Sequence, residues 1–358
     1  MLARGIDMIQ EHSCDPKIYE GNGLNAHGYV QLAEAANGPL PHKNDRGPDY
    51  VWGDALSVLK SRQPDLRLIN LETSVTTSMT PWPTKAIHYK MHPNNVNILK
   101  AAEIDCCILS NNHTADWGLH SLKDTMCTLN NTSILYAGAG FNENEAVRPA
   151  VFSLPGKGRV LVFGVGHISS GVPDKWRAGE TQEGLFMLDV HHPIRTSKQL
   201  RSIINNFREK DDIVVLSIHW GGNWGFNVDE YLTEFAHAAI DDSGVDLVHG
   251  HSSHHVKGLE VYKGKLVIYG CGDFINDYEG ITGKEQFRGD LSLMYFADLD
   301  FRDGKLNTLE MVPMRMKKLR VTHASDADVT WLASTMSREC RRFNCDVQRD
   351  GRTLKLLF

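Results

Sequence analysis

Glutamate, asparagine and histidine recur in this chain where runs of apolar residues stop. "LRLINLETS" delivers Glu72, "CCILSNNH" delivers Asn112 and His113, and "VVLSIHWGGNW" delivers His219. "DLVHGHSSHH" delivers His249, His251, His254 and His255. Carboxylate oxygen, amide oxygen and imidazole nitrogen together suit borderline divalent ions such as Zn, Mn or Fe. A carboxylate can bridge two ions, and two ions about 3.5–4 Å apart form the clamp used for in-line displacement at phosphorus. A histidine beside such ions but not bound to them can protonate the leaving oxygen. In "NNH" that divides the labour: Asn112 offers a neutral oxygen to a metal and His113 faces the substrate. Asp116, three residues on, is placed to orient His113.

Taken singly, each residue has an ordinary explanation. Glu72 reads as a solvated strand end, Asn112 as a helix N-cap, and His219 as part of an aromatic turn. His249 and His251 are expected to divide between core and site, and "HGHSSHH" could be no more than a polar loop. The conjunction is what favours a site. In open α/β sheets the carboxyl ends of the strands line the ligand crevice, so donors from four such ends would meet.

The elements that must position these residues are legible as short apolar runs. Strands are expected at 66–70, 104–110, 159–166, 212–220, 245–250, 265–270 and 291–300, being short, β-branched and flanked by Gly or Asp. Helices are expected at 94–102, 119–130, 196–209 and 229–242, where apolar residues recur three and four apart. The alternation argues for an α/β architecture with covered sheet faces. Residues 21–50, rich in Gly, Asn, Pro and His, read as a long ordered loop. From about 320 a helix near 326–342 and a terminal strand are expected. No linker is evident, so 1–320 is read as one domain and 321–358 as an extension packing on it.

The 358 residues carry a net charge of −6 and no basic run, which argues against nucleic acid as partner. At 41% hydrophobic the chain can bury a sizeable core. Seven cysteines in no metal-finger spacing read as reduced thiols, with Cys106 and Cys107 pointing to opposite faces of a strand. No stretch is long and apolar enough to span a membrane, and "MLARGIDMIQEHSCDPK" has no signal-peptide core, so a cytoplasmic location without membrane anchor is expected. Arg4 reads first as a surface arginine and second as a contact for a substrate anion. Lys90 and His92 lie on a segment that borders the expected cleft. Trp220 and Trp224 read as core packing before cleft wall.

The motifs "INLETSVT", "LSNNHTADWG", "IHWGGNWG" and "GHSSHHVKGLEVYKGKLVIYGCGDFIND", with "RGIDMIQ" and "DPKIYE" ahead of them, resemble those of CapA-type proteins. These are the poly-γ-glutamate or capsule biosynthesis branch of the calcineurin-like metallophosphoesterase superfamily. The resemblance runs from residue 1 to about 300. It implies a four-layer αββα sandwich with a dinuclear metal site at the strand ends. By matching motif, Glu72 is the bridging carboxylate, Asn112 and His219 bind the second metal, and His113 is the proton donor. The family's paired histidines correspond to His251 and His254, with His255 as rival. Asp273 stands where the family shows Asn, and a structural role at a strand end is expected of it. Family members open with a strand ending in Gly-Asp, whose Asp binds the first metal. This chain begins at Met1, just after it, so the first strand is expected to be missing and one metal position more complete than the other. The resemblance implies a hydrolase of a phosphoester or related bond in a small-molecule or polyanionic substrate. It leaves open a non-hydrolytic accessory or polymer-binding role in poly-γ-glutamate or capsule synthesis, and a degenerate metal-binding fold that docks a partner.

Overall fold

Each expected apolar run forms a strand, and the strands assemble into mixed α/β layers. A computed structural model describes residues 1–20, 23, 25–83 and 85–358. One sheet is three-stranded and parallel: Cys106–Ile108 lies between Leu68–Asn70 and Leu135–Ala137. The other has six strands, in the order Leu259–Tyr262, Lys265–Ile268, Leu247–His251, Ile213–His219, Gly158–Gly166 and Ala150–Leu154. Its inner four are parallel and both edges antiparallel. Ile213–His219, at its middle, is buried at every residue. That explains why its sequence is a continuous apolar run and not an alternating one.

The adjacent cysteines show how the layers are filled. Cys106 and Ile108 pack with Val160, Val162, Ile213 and Val215, so the two sheets share an apolar layer. Cys107 faces the other way, into a cluster with Leu109, Leu122 and Met126 under the helix Leu119–Asn130. On the far side of the larger sheet, Phe163, Leu216 and Ile218 pack against Leu200, Ile204, Phe235 and Ala239. Those last four come from the helices Pro193–Asn205 and Glu230–Ser243.

At one end the two sheets approach backbone to backbone. Gly138 follows the strand Leu135–Ala137 and has φ +87°. A Cβ on it would lie 2.3 Å from Ser110 Oγ and 2.9 Å from the carbonyl carbon of Gly164. A Cβ on Gly164 would meet Ala137 C and O at 2.8 Å. Only glycine fits either position without moving main chain.

Two readings of the sequence need correction. Within 21–50, residues 21, 22 and 24 lie outside the described residues, but the stretch is no continuous loop: Ala26–Asn37 is a helix. Asn25 caps its first turn by accepting from Gly28 N, and Gly38 ends it at φ +81°. The segment 94–102 opens as a 3₁₀ turn, Pro93–Val96, capped by the His92 side chain, before the α-helix Asn97–Ala101.

The C-terminal part builds a third, antiparallel sheet from Leu291–Leu299, Leu306–Met316, Thr353–Leu357 and Asp346–Asp350, with Val321–His323 paired to Leu306–Met316. This sheet straddles residue 320. The helix Asp326–Cys340 brings Val329, Leu332 and Met336 onto Met311 and Leu354, and onto Leu259 and Ile268 at the edge of the six-stranded sheet. No helix among the described residues is long and apolar enough to cross a membrane.

Candidate functional site

Parallel pairing sets the first part of the site. Ile213–His219 and Leu247–His251 are neighbours in register, with His219 opposite His251 and Ser217 opposite His249. His219 Nδ1 and His251 Nδ1 are 2.7 Å apart. From the other sheet, Asn112 Oδ1 lies 3.1 Å from His219 Nε2. Ser217 Oγ supports the pair from behind, 3.1 Å from His251 Nε2 and 2.8 Å from His249 Nδ1. His249 and His251 therefore do not divide between core and site, since residues two apart on a strand share a face.

Burial holds His219 and His251 well below the ordinary imidazole range, so both are uncharged and keep lone pairs. An amide oxygen and two neutral imidazoles are the donor types that suit a borderline divalent cation; His219 turns Nδ1 to His251 and Nε2 to Asn112, so its ring must turn before all three donors face one ion. Among the described residues no three of His, Cys, Asp and Glu converge as a metal group. The trio thus needs the amide oxygen of Asn112 as its third donor.

Glu72 and His254, expected in the same ligand set, form a neighbouring group with Asp273. Glu72 is buried, and its Oε2 accepts from Asn70 Nδ2 at 2.8 Å. Burial raises the Glu72 carboxyl, while His254 opposes that shift. His254 Nδ1 sits 3.1 Å from Asp273 Oδ1. Burial works against charge on His254, but Asp273 outweighs it, so its pKa is raised and that of Asp273 lowered. Asp273 thus stands at a strand end as an ion-pair partner. The amine of Met1 lies close by, donating to Ile275 O at 2.6 Å.

His113 sits on the turn after Cys106–Ile108. Asn111 fixes that turn: its Nδ2 donates to Asn70 Oδ1 and to Leu71 O, each at 2.9 Å, and its Oδ1 accepts from His113 N at 3.0 Å. His113 Nδ1 is 2.6 Å from Asp116 Oδ2, which also accepts from Tyr89 N at 2.6 Å. The Tyr89 ring lies over the imidazole, with centroids 4.0 Å apart. Burial, and then the charge of Lys85, push His113 well below its ordinary range. Burial raises Asp116 to about 6, against the pull of Lys85. Lys85 is the residue that sequence reasoning missed. Its ammonium donates to Asp116 Oδ1 and to the carbonyl of Asn112. In "PWPTKAIH" nothing separates it from a surface lysine.

Three residues expected at the substrate are committed elsewhere. Arg4 is neither a surface arginine nor open to an anion. It is 5% exposed, with Asp277 oxygens 3.0 Å from Nε and 2.5 Å from Nη2, and Glu20 Oε1 2.8 Å from Nη1. Lys90 donates to Ser78 O at 3.1 Å and lies 3.8 Å from the Trp117 ring centroid. His92 caps the turn after it, accepting from Asn94 N at 3.2 Å, and its own N donates to Asp7 Oδ1 at 2.9 Å. Among the other aromatics, Trp220 is core, donating to Tyr269 O at 3.0 Å. His255, the rival for His254, forms an aromatic cluster with Trp224 and Phe287 and accepts from Gly225 N at 3.1 Å.

With this geometry in hand, the chain can be set beside known proteins. Residues 1–278 match the family model described as bacterial capsule synthesis protein PGA_cap. The chain is 40% identical over 348 residues to a Mycobacterium tuberculosis protein named "Probable polyglutamine synthesis accessory protein", covering 97% of this chain and 90% of that one. It is 28% identical over 280 residues to a capsule biosynthesis protein CapA of Bacillus anthracis, covering 77% of this chain and 63% of that protein. Over 193 residues it is 25% identical to the PGA biosynthesis protein CapA of Bacillus subtilis, covering 54% of this chain and 48% of that one.

Proposed function

Because the chain belongs to the bacterial capsule synthesis protein PGA_cap family, we propose that it serves glutamate-polymer or capsule synthesis as a metal-dependent hydrolase of a phosphoester or related anionic bond. The observation that carries this reading is one juxtaposition: the neutral trio Asn112, His219 and His251 beside the His113–Asp116 pair, on adjoining strand ends. Helices outside two sheets that share an apolar layer support reading the core as the αββα sandwich of the calcineurin-like metallophosphoesterases.

In this reading Asn112, His219 and His251 hold a divalent cation (Mn, Zn or Fe), and Glu72 and His254 flank a second, less complete position. When bound, such an ion polarises a phosphoryl oxygen. The remaining work falls to the chain's own side chains. His113 is uncharged at rest, with Nδ1 on Asp116. An anionic substrate beside it raises its proton affinity, so Nε2 holds a proton while substrate is present and gives it to the leaving oxygen. Asp116 stabilises the imidazolium during that interval.

The test is turnover of phosphomonoesters and phosphodiesters by protein supplied with Mn, Zn or Fe(II). The expected result is activity that falls about 10²–10⁴-fold in His113→Gln. No turnover with any of the three ions, or equal turnover in His113→Gln, overturns the reading. A second reading, polymer binding without cleavage, is favoured by the word "accessory" in the name of the M. tuberculosis relative. Saturable binding of poly-γ-glutamate by a protein that hydrolyses nothing would select it.

A further inference from the structure

The segment 82–89 is tied to the turn that carries His113 at both of its ends. Trp82 N donates to Asp116 O at 2.7 Å, and Tyr89 N donates to Asp116 Oδ2 at 2.6 Å. Between them Lys85 turns inward. Its side chain is 13% exposed, and its ammonium lies 5.1 Å from the Trp176 ring centroid. It contacts Asp116 Oδ1 and the carbonyl of Asn112, and is 3.3 Å from His113 Nδ1. A lysine serving only solubility would extend its charge into water. This one is drawn into a largely enclosed group of acceptors.

We propose that Lys85 is a positioning residue for His113. The ammonium occupies one oxygen of Asp116 and the carbonyl of Asn112, which leaves the other Asp116 oxygen to accept from Tyr89 N–H and His113 Nδ1–H. With Oδ1 held by the ammonium and Oδ2 shared by Tyr89 N–H and the imidazole, the carboxylate is fixed in one orientation, and the ring is held in the Nδ1–H tautomer. Nε2 remains as the nitrogen that handles a substrate proton. The hold on Asn112 O couples the same ammonium to the residue that supplies the trio's amide oxygen. This inference rests on reading His113 as the proton-transfer group, and its test is chosen to be readable without turnover.

An imidazole N–H donating to a carboxylate over 2.6 Å should give a far-downfield proton resonance in the full-length protein. Its loss in His113→Gln assigns it. The expected result is that the resonance disappears in Lys85→Met and is kept in Lys85→Arg; the urea midpoint of Lys85→Met should fall, because Asp116 is left buried without its cation, while the variant remains folded in the absence of urea. Persistence of the resonance in a folded Lys85→Met protein overturns the proposal. If Lys85→Met does not fold, Lys85→Gln, one atom shorter and with a donor but no charge, replaces it with the same two outcomes. Where the protein turns over a substrate, kcat should fall about 10–100-fold in Lys85→Met with KM unchanged, and Lys85→Arg should restore part of it. A protein that hydrolyses nothing but shows the resonance pattern would sink the hydrolase reading and leave the role of Lys85 intact.

Discussion

A buried guanidinium cannot shed its proton, so it must keep its partners. Arg4 has Asp277 on two of its nitrogens and Glu20 on a third. Asp277→Ala is therefore expected to cost about 3–5 kcal/mol in urea unfolding, since it strips the larger part of a buried pair and leaves the charge behind. A change under 1 kcal/mol would mean that water reaches Arg4. The same logic explains which residues could be read from the sequence. Asp116 stands three residues from His113, and that spacing alone suggested their contact. Lys85 stands 28 residues away from His113, and no local pattern ties the two. His254 was legible as a metal-capable side chain, but its charge is set by Asp273, 19 residues on. Residue type was readable; the partner that decides protonation was not.

At the scale of elements, all seven strands expected from apolar runs are present; six have parallel neighbours, and buried parallel strands carry their signal as unbroken apolar stretches, while Leu291–Leu299 is antiparallel. Elements with mixed patterns were harder. Ala26–Asn37 is a helix although glycine, asparagine and histidine surround it, since an Asn25 cap and an ending Gly38 fix its limits where periodicity is weak. The donor trio depends on how two of these elements end. Gly164 on the strand Gly158–Gly166 allows the end of Leu135–Ala137 to approach it. Gly164→Ala is expected to destabilise the fold by about 1–3 kcal/mol, because the added methyl meets main chain that cannot rotate away. It should also lengthen the Asn112–His219 contact in a crystal structure. An unchanged contact and unchanged stability would show that the sheets have slack there.

At the scale of the whole molecule, the third sheet was the least legible part. Three of its antiparallel pairings are local hairpins, but the one that closes it joins residues far apart, such as Met311 and Leu354, and pairing at that range leaves no mark on either stretch alone. Acidification first works against the buried neutral histidines, and below about pH 4 the ion pairs around this sheet and below the six-stranded sheet add to the loss of stability. Burial alone would raise Asp212 and Asp328, but Arg159 outweighs it at Asp212, and Ser325 with Arg288 at Asp328, so both carboxyls lie below the usual 3.8. Carboxyls depressed in the folded state stabilise it fully above their unfolded pKa, and that contribution is lost as pH falls through the folded one. The urea midpoint should therefore drop on acidification from about pH 4 to about pH 2, and Asp212→Asn should flatten that slope. An Asp212→Asn slope equal to the wild type would discount the pair. The meeting of the sheets at Gly138 and Gly164 has a consequence of its own. Residues 155–157 form an exposed hairpin turn, and scission there would leave Asn112 and His113 on one polypeptide, His219 and His251 on the other. Neither piece could rebuild the trio by itself, so the two would act as complementary halves, with ion uptake reporting their reunion.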